Sequence, residues 1–141
     1  MYLSILLTKG LVVGRTRILV ADDHEEMRNT IVHLLRTHFE VLAAVADGPA
    51  FLDAVDRLKP DLCIVDISMP TMSGIEVAQR IKAHDAHTKI VFLTLHDDSD
   101  FRAAALATGA EGYVTKARMG GDLLPAIRAV LAGRTFLHSS A

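Results

Sequence analysis

"LCIVDISMP", residues 62–70, decides how the rest of the chain is read. Leu62 to Val65 form an apolar run suited to a buried strand, yet the run ends on Asp66, a residue type depleted in strands. Ser68 and Pro70 then signal a turn. A strand that leaves a core on a carboxylate delivers that carboxylate to a defined place, and the neighbouring segments say where.

Comparable runs occur at "RILVAD" (17–22), "VLAAVA" (41–46), "DLCIVD" (61–66), "KIVFLT" (89–94) and "GYVT" (112–115). Most are apolar throughout rather than alternating, the pattern of parallel strands covered on both faces. Helical periodicity fills the gaps. Met27, Ile31, Leu34, Leu35 and His38 mark the inner face of a first helix. Leu52, Val55 and Leu58 mark a second, opened by Gly48-Pro49 and ended by Lys59-Pro60. Val77, Ala78 and Ile81 follow Gly74 in a third, and Ser99 is the expected N-cap of a fourth, closed by Gly109. Leu123, Leu124, Ile127, Val130 and Leu131 define a fifth, stopped by Gly133. The pattern predicts an α/β fold: a doubly wound, five-stranded parallel sheet with five helices on its two faces.

The chain has 141 residues, enough for one domain with a substantial core. Half the residues are hydrophobic, 23% are charged and the net charge is −2, so charge alone points to neither a nucleic-acid nor a membrane surface. The single cysteine, Cys63, lies inside an apolar run and reads as a small buried hydrophobe. One cysteine closes no internal disulfide, which fits a reducing, cytoplasmic setting. No segment reaches the roughly 18 apolar residues needed to span a bilayer. The start, "MYLSILLTKGLVVGRT", lacks the basic flank and cleavage site of a signal peptide. Residues 1–16 are therefore expected to lie outside the core fold, residues 17–137 to form the domain, and residues 138–141 to begin a linker or tail.

In an open α/β sheet, function gathers beyond the carboxyl ends of the strands. The first strand ends in Asp22-Asp23, the third in Asp66 and the fourth in Thr94, and Lys116 follows the fifth. Clustered carboxylates repel, and one takes up a proton unless a cation intervenes. Mg²⁺, or Mn²⁺, suits such an oxygen-rich site, and a carboxylate beside it can attack a phosphoryl group. A lysine can then offset charge on the phosphoryl oxygens, and Thr94 can donate a hydrogen bond to one of them.

"RILVADDHEEMR", "DLCIVDISMPTMSG", "KIVFLTLHDD" and "GAEGYVTKA", in that order, resemble the receiver domain of bacterial two-component response regulators, over residues 17–137. "LTLHDD", "GAEGYVTK" and "AIRAVLAGRTFL" narrow the resemblance to the NarL/FixJ subfamily. The resemblance implies a flavodoxin-like fold with strand order 2-1-3-4-5. It makes Asp66 the phosphoacceptor, served by the phosphohistidine of a cognate sensor histidine kinase. Asp23 would bind Mg²⁺ directly, Asp22 through water, and Ser68 through its backbone carbonyl. Lys116 and Thr94 would contact the phosphoryl group, with Thr94 and Tyr113 as the switch pair. Such a domain assists its own phosphorylation and dephosphorylation but is a signalling phosphoacceptor rather than an enzyme.

The chain departs from the broad family at Ala117, where many receivers carry a cis proline, and at Leu95, larger than the residue common there and placed to narrow the route to Asp66. A cis bond before a non-proline costs roughly 3–4 kcal/mol, which puts the geometry around Lys116 in question. His24 and His96 are expected to flank the phosphorylation site. His84 and His87 lack the partners of a zinc site.

A dehalogenase-type phosphatase would need an acid at Ser68, and a nucleotide-binding module would need a glycine-rich loop that is absent. NarL/FixJ-type regulators carry a C-terminal helix-turn-helix domain, which these residues do not contain. The expected output is transcriptional, through a domain beyond Ala141; a stand-alone or phosphorelay receiver is the alternative. The 141 residues themselves are expected to bind neither DNA nor membranes. They should signal through the faces of the first, fourth and fifth helices, including phosphorylation-dependent homodimerisation.

Overall fold

A computed structural model describes residues 15–95 and 99–137. The elements run β1 (Arg17–Ala21), α1 (Glu25–Arg36), β2 (Glu40–Val45), α2 (Gly48–Leu58), β3 (Leu62–Asp66), α3 (Gly74–His84), β4 (Lys89–Thr94), α4 (Ser99–Ala107), β5 (Gly112–Thr115), a 3₁₀ turn (Lys116–Arg118), α5 (Met119–Leu131) and β6 (Phe136–Leu137). All pairings are parallel, in the order β2-β1-β3-β4-β5-β6.

The sheet therefore has six strands where five were expected. After Gly133, at φ +86°, the chain turns back, and Phe136 N–H donates to the Glu111 carbonyl at 2.9 Å. Phe136 and Leu137 then pair with Gly112 and Tyr113. Two residues carry no periodicity, so sequence gives no sign of this strand. It covers part of an otherwise open β5 edge.

The period of two along each strand splits the core between the faces. Leu19, Ala21, Cys63, Val65, Ile90, Phe92 and Tyr113 pack with α2, α3 and Ala105 of α4. Ile18, Val20, Leu62, Ile64, Val91, Leu93 and Val114 pack with α1 and α5. The apolar runs of β1, β3, β4 and β5 are thus continuous because both faces are covered, whereas β2 at the sheet edge is only half-buried. Burial pushes the Cys63 thiol up to about 12, as expected for a core position.

Some predicted faces are shifted. In α2 the buried residues are Gly48, Phe51 and Ala54, with Leu52, Val55 and Leu58 at the margin. In α5, Leu123, Ala126, Ile127 and Val130 are buried, whereas Leu131 is exposed. His38 lies past the end of α1 and is exposed; Phe39 fills the core there. Ser99 is the first residue of α4 rather than a residue before it. Asp47 and Ser73 cap α2 and α3, accepting from Ala50 and Glu76 N–H.

Contacts with the core fold extend to Arg15 at least. The Arg15 guanidinium donates to the carbonyls of Arg36 and Phe39 at the end of α1, both at 3.0 Å. Residues 1–14, His96 and residues 138–141, about which the sequence raised expectations, lie outside the described residues. Among the described residues, no helix is long and apolar enough to cross a membrane.

Candidate functional site

Strand parity builds the site. Asp22 continues the α1/α5 face of Val20, Asp66 that of Ile64 and Lys116 that of Val114, so all three emerge together at the carboxyl rim. Apolar residues hold the strands in register below them, and the first polar residue beyond each run is committed to one location. Asp22, Asp66 and Lys116 are all buried.

Lys116 Nζ stands 2.7 Å from Asp22 Oδ2 and 3.3 Å from Asp66 Oδ2. The two aspartates are used alike. Asp22 Oδ1 accepts from His24 N–H at 2.9 Å, and Asp66 Oδ1 accepts from Ser68 N–H at 3.2 Å. Each carboxylate turns its own chain with one oxygen and faces the lysine with the other. Shaping the entrance to α1 by Asp22 and the turn after β3 by Asp66 is compatible with a second use of each side chain.

Gly74 holds the loop after β3 close. Its N–H donates to the Ile67 carbonyl at 2.7 Å, and a Cβ there would collide with the Asp66 carbonyl oxygen. Within this loop Thr71 has φ +72°, and Met72 N–H donates to the Pro70 carbonyl at 2.7 Å. That is a γ-turn centred on a β-branched residue in left-handed backbone, a strained arrangement beside the site.

Burial pushes the Asp66 carboxyl up from 3.8 to about 6. Lys116 pulls against this, while the charge of Asp22 and a hydrogen bond with Asp23 add to the rise. A single ammonium does not balance three carboxylates. Ligand atoms of Asp22, Asp23, His24 and Asp66 lie within 4.8 Å of one another, and the buried Asp23 Oδ1 accepts no aligned hydrogen bond, with the His24 imidazole nitrogen 3.2 Å away. This oxygen-rich set, short of donors, fits a small divalent cation.

Thr94 ends β4 buried, in register with Thr115. It lies on the opposite face from Asp66, two residues beyond Phe92, whose partner is Tyr113. The Tyr113 ring is fully buried, with the Arg102 guanidinium 5.5 Å from its centroid. Leu95 is exposed and lines a groove with His24, Glu26, Met27, Thr30 and Lys116. The described residues contain no cis peptide bond; Lys116-Ala117 instead opens the 3₁₀ turn.

Sequence reasoning gave no role to Arg102 or Arg28. Arg102 lies on α4, and its position over Tyr113 follows only from packing. Arg28 donates to the Asp22 carbonyl at 2.9 Å, bracing the loop. Its spacing from the aspartates was the one available signal.

Residues 18–128 match the response regulator receiver domain family. The chain is 30% identical over 127 residues to the transcriptional regulatory protein DegU of Brevibacillus brevis, covering 89% of this chain and 54% of that one. It is 36% identical over 124 residues to the oxygen regulatory protein NreC of Staphylococcus haemolyticus, covering 86% and 57%. A crystal structure of a LuxR-family two-component response regulator from Aurantimonas sp. SI85-9A1 superposes with a TM-score of 0.82 at 34% identity, covering 87% and 89%. The chain belongs to the response regulator receiver domain family, with relatives of the LuxR type. It spans just over half the length of these curated relatives.

Proposed function

We propose that the chain is the phosphoacceptor unit of a transcriptional response regulator, and that Asp66 is the residue phosphorylated. A carboxylate oxygen of Asp66 forms a P–O bond to the phosphoryl group as the P–N bond of a sensor kinase's phosphohistidine breaks. The electron pair of that bond returns to the donor imidazole. The carrying observation is the Lys116 ammonium held by Asp22 and Asp66 within a ring of excess negative charge.

Asp22, Asp23, Asp66 and the Ser68 carbonyl would hold Mg²⁺ or Mn²⁺, which when bound would supply positive charge to offset that of the phosphoryl oxygens. Lys116 neutralises the same oxygens, and Asp22 fixes where its ammonium sits. The Thr94 hydroxyl reports the new group. Tyr113, two residues deeper along the same face, carries the change toward α4, where Arg102 caps its ring.

The output surface then engages a second copy or another protein, and a DNA-binding domain in a longer, cytoplasmic parent protein acts on genes. In favour of this reading are DegU and NreC, whose names denote regulatory proteins and of which this chain spans about half.

The test is phosphotransfer from a phosphohistidine donor with Mg²⁺, read by intact-protein mass. Wild type should gain one acid-labile phosphoryl group and Asp66→Asn none, because an amide is a poor nucleophile. Equal labelling of the two proteins would reject Asp66.

A further inference from the structure

We propose that His24 is a nitrogen ligand of the rim cation site and shifts its preference from Mg²⁺ toward Mn²⁺. The proposal rests on the reading of Asp22, Asp23 and Asp66 as a divalent-cation site.

The backbone of His24 is fixed on both sides: its N–H donates to Asp22 Oδ1, and its carbonyl accepts from Arg28 N–H at 2.8 Å. It occupies the N-cap position of α1 in extended conformation, yet its side chain makes no capping hydrogen bond. The imidazole turns instead toward the acids. Nδ1 lies 3.2 Å from Asp23 Oδ1 and 3.9 Å from Asp22 Oδ1. Two ligands bound at right angles, each about 2.1 Å from a cation, stand about 3.0 Å apart, close to the first of these distances.

The sides of the cluster also divide. Lys116 faces Oδ2 of Asp22 and of Asp66, whereas the imidazole faces Oδ1 of Asp22 and of Asp23. A cation on the imidazole side meets these two carboxylate oxygens and one nitrogen without displacing the lysine, and an Asp66 carboxylate oxygen lies within 4.8 Å of a ligand atom of each of the three residues. Mg²⁺ gains little from nitrogen and keeps its waters; later first-row divalent ions accept imidazole readily. The plain alternative is a surface His–Asp ion pair, consistent with the 66% exposure of the imidazole.

Pulsed electron paramagnetic resonance of the full chain with one equivalent of Mn²⁺ separates these readings, beside calorimetric titrations with Mn²⁺ and Mg²⁺. Mn²⁺ is chosen because the chain has seven histidines, and tighter-binding metals would also load the others. Wild type should show ¹⁴N modulation from one imidazole. His24→Ala and His24→Gln should lose it, and their Mn²⁺-to-Mg²⁺ affinity ratio should fall about tenfold. Thermal melts of both variants should stay near wild type, since the His24 side chain is exposed and caps nothing. Mn²⁺ binding with no ¹⁴N signal, or a signal and ratio unchanged in both variants, overturns the role of His24 alone. Failure of wild type to bind either metal overturns the cation-site reading and this proposal with it.

Discussion

Two lysine–carboxylate pairs, each at 2.7 Å, lie at opposite ends of the same sheet. At the amino end, Lys82 on α3 meets Glu111 just before β5. Lys82 Nζ also donates to the carbonyls of Ala86 and Thr88, and Glu111 Oε1 accepts from Ile90 N–H. Three donors meet three acceptors, and one cation balances one anion. At the carboxyl end, Lys116 is nearly as close to Asp66 as to Asp22, Asp23 stands alongside, and the acids outnumber the base. Residue type and distance are alike; saturation differs. A saturated pair locks α3 to the start of β4 and β5. An unsaturated one keeps capacity for a ligand, at some cost to the stability of the ligand-free protein.

The largest effect should come from breaking the saturated pair. Lys82→Met leaves Glu111 and two carbonyls short of donors in a mostly buried setting, so unfolding stability should fall by about 2–4 kcal/mol. Denaturant titration measures this, and a loss below about 1 kcal/mol would mean that water replaces the lysine. Phosphorylation of the variant below its melting temperature should persist.

The same kind of change at the rim should have the opposite sign. The Asp66 carboxyl is raised to about 6, so its charged form is disfavoured in the metal-free fold. Asp66→Asn should stabilise the metal-free protein at pH 7 by about 1–2 kcal/mol. The sign follows from proton binding. Between about pH 4 and 6 the folded state holds a proton on Asp66 that the unfolded state has released. This contribution is therefore full below pH 4 and is lost as pH rises through 6. Melts across pH 4–7 should show that slope in wild type and not in Asp66→Asn. Equal slopes would place the titration elsewhere.

A smaller comparison concerns strained backbone. Thr71 at the rim and Lys59 at the end of α2 have φ of +72° and +51°. A β-branched residue tolerates this region least. Thr71→Asn should gain about 0.5–1 kcal/mol, and Lys59→Gly less, because glycine also loosens the unfolded chain. A destabilised Thr71→Asn would show that the threonine side chain holds the loop.

Four of the five principal strands were legible because burial on both faces writes each one as an unbroken apolar run; β2, a half-buried edge strand, carries such a run as well. The end of each run then named Asp22, Asp23, Asp66, Thr94 and Lys116 as rim residues. Helix faces were less legible: Phe51 and Ala54 fill the centre of the α2 interface, with Leu52 and Val55 packed at its margin, since helix rotation is set by the partner surface as well as by spacing. The two-residue β6 left no period to detect.

The sequence by itself determined which residues reach the carboxyl rim, because strand period and apolar length are local properties of the chain. Only the tertiary structure decided that Lys116 stands between Asp22 and Asp66, that Arg102 covers Tyr113, and that His24 faces the acids instead of capping α1. Each of these depends on how far one element is rotated and shifted against another. That is fixed by the packing of side chains far apart in sequence, which no local pattern encodes.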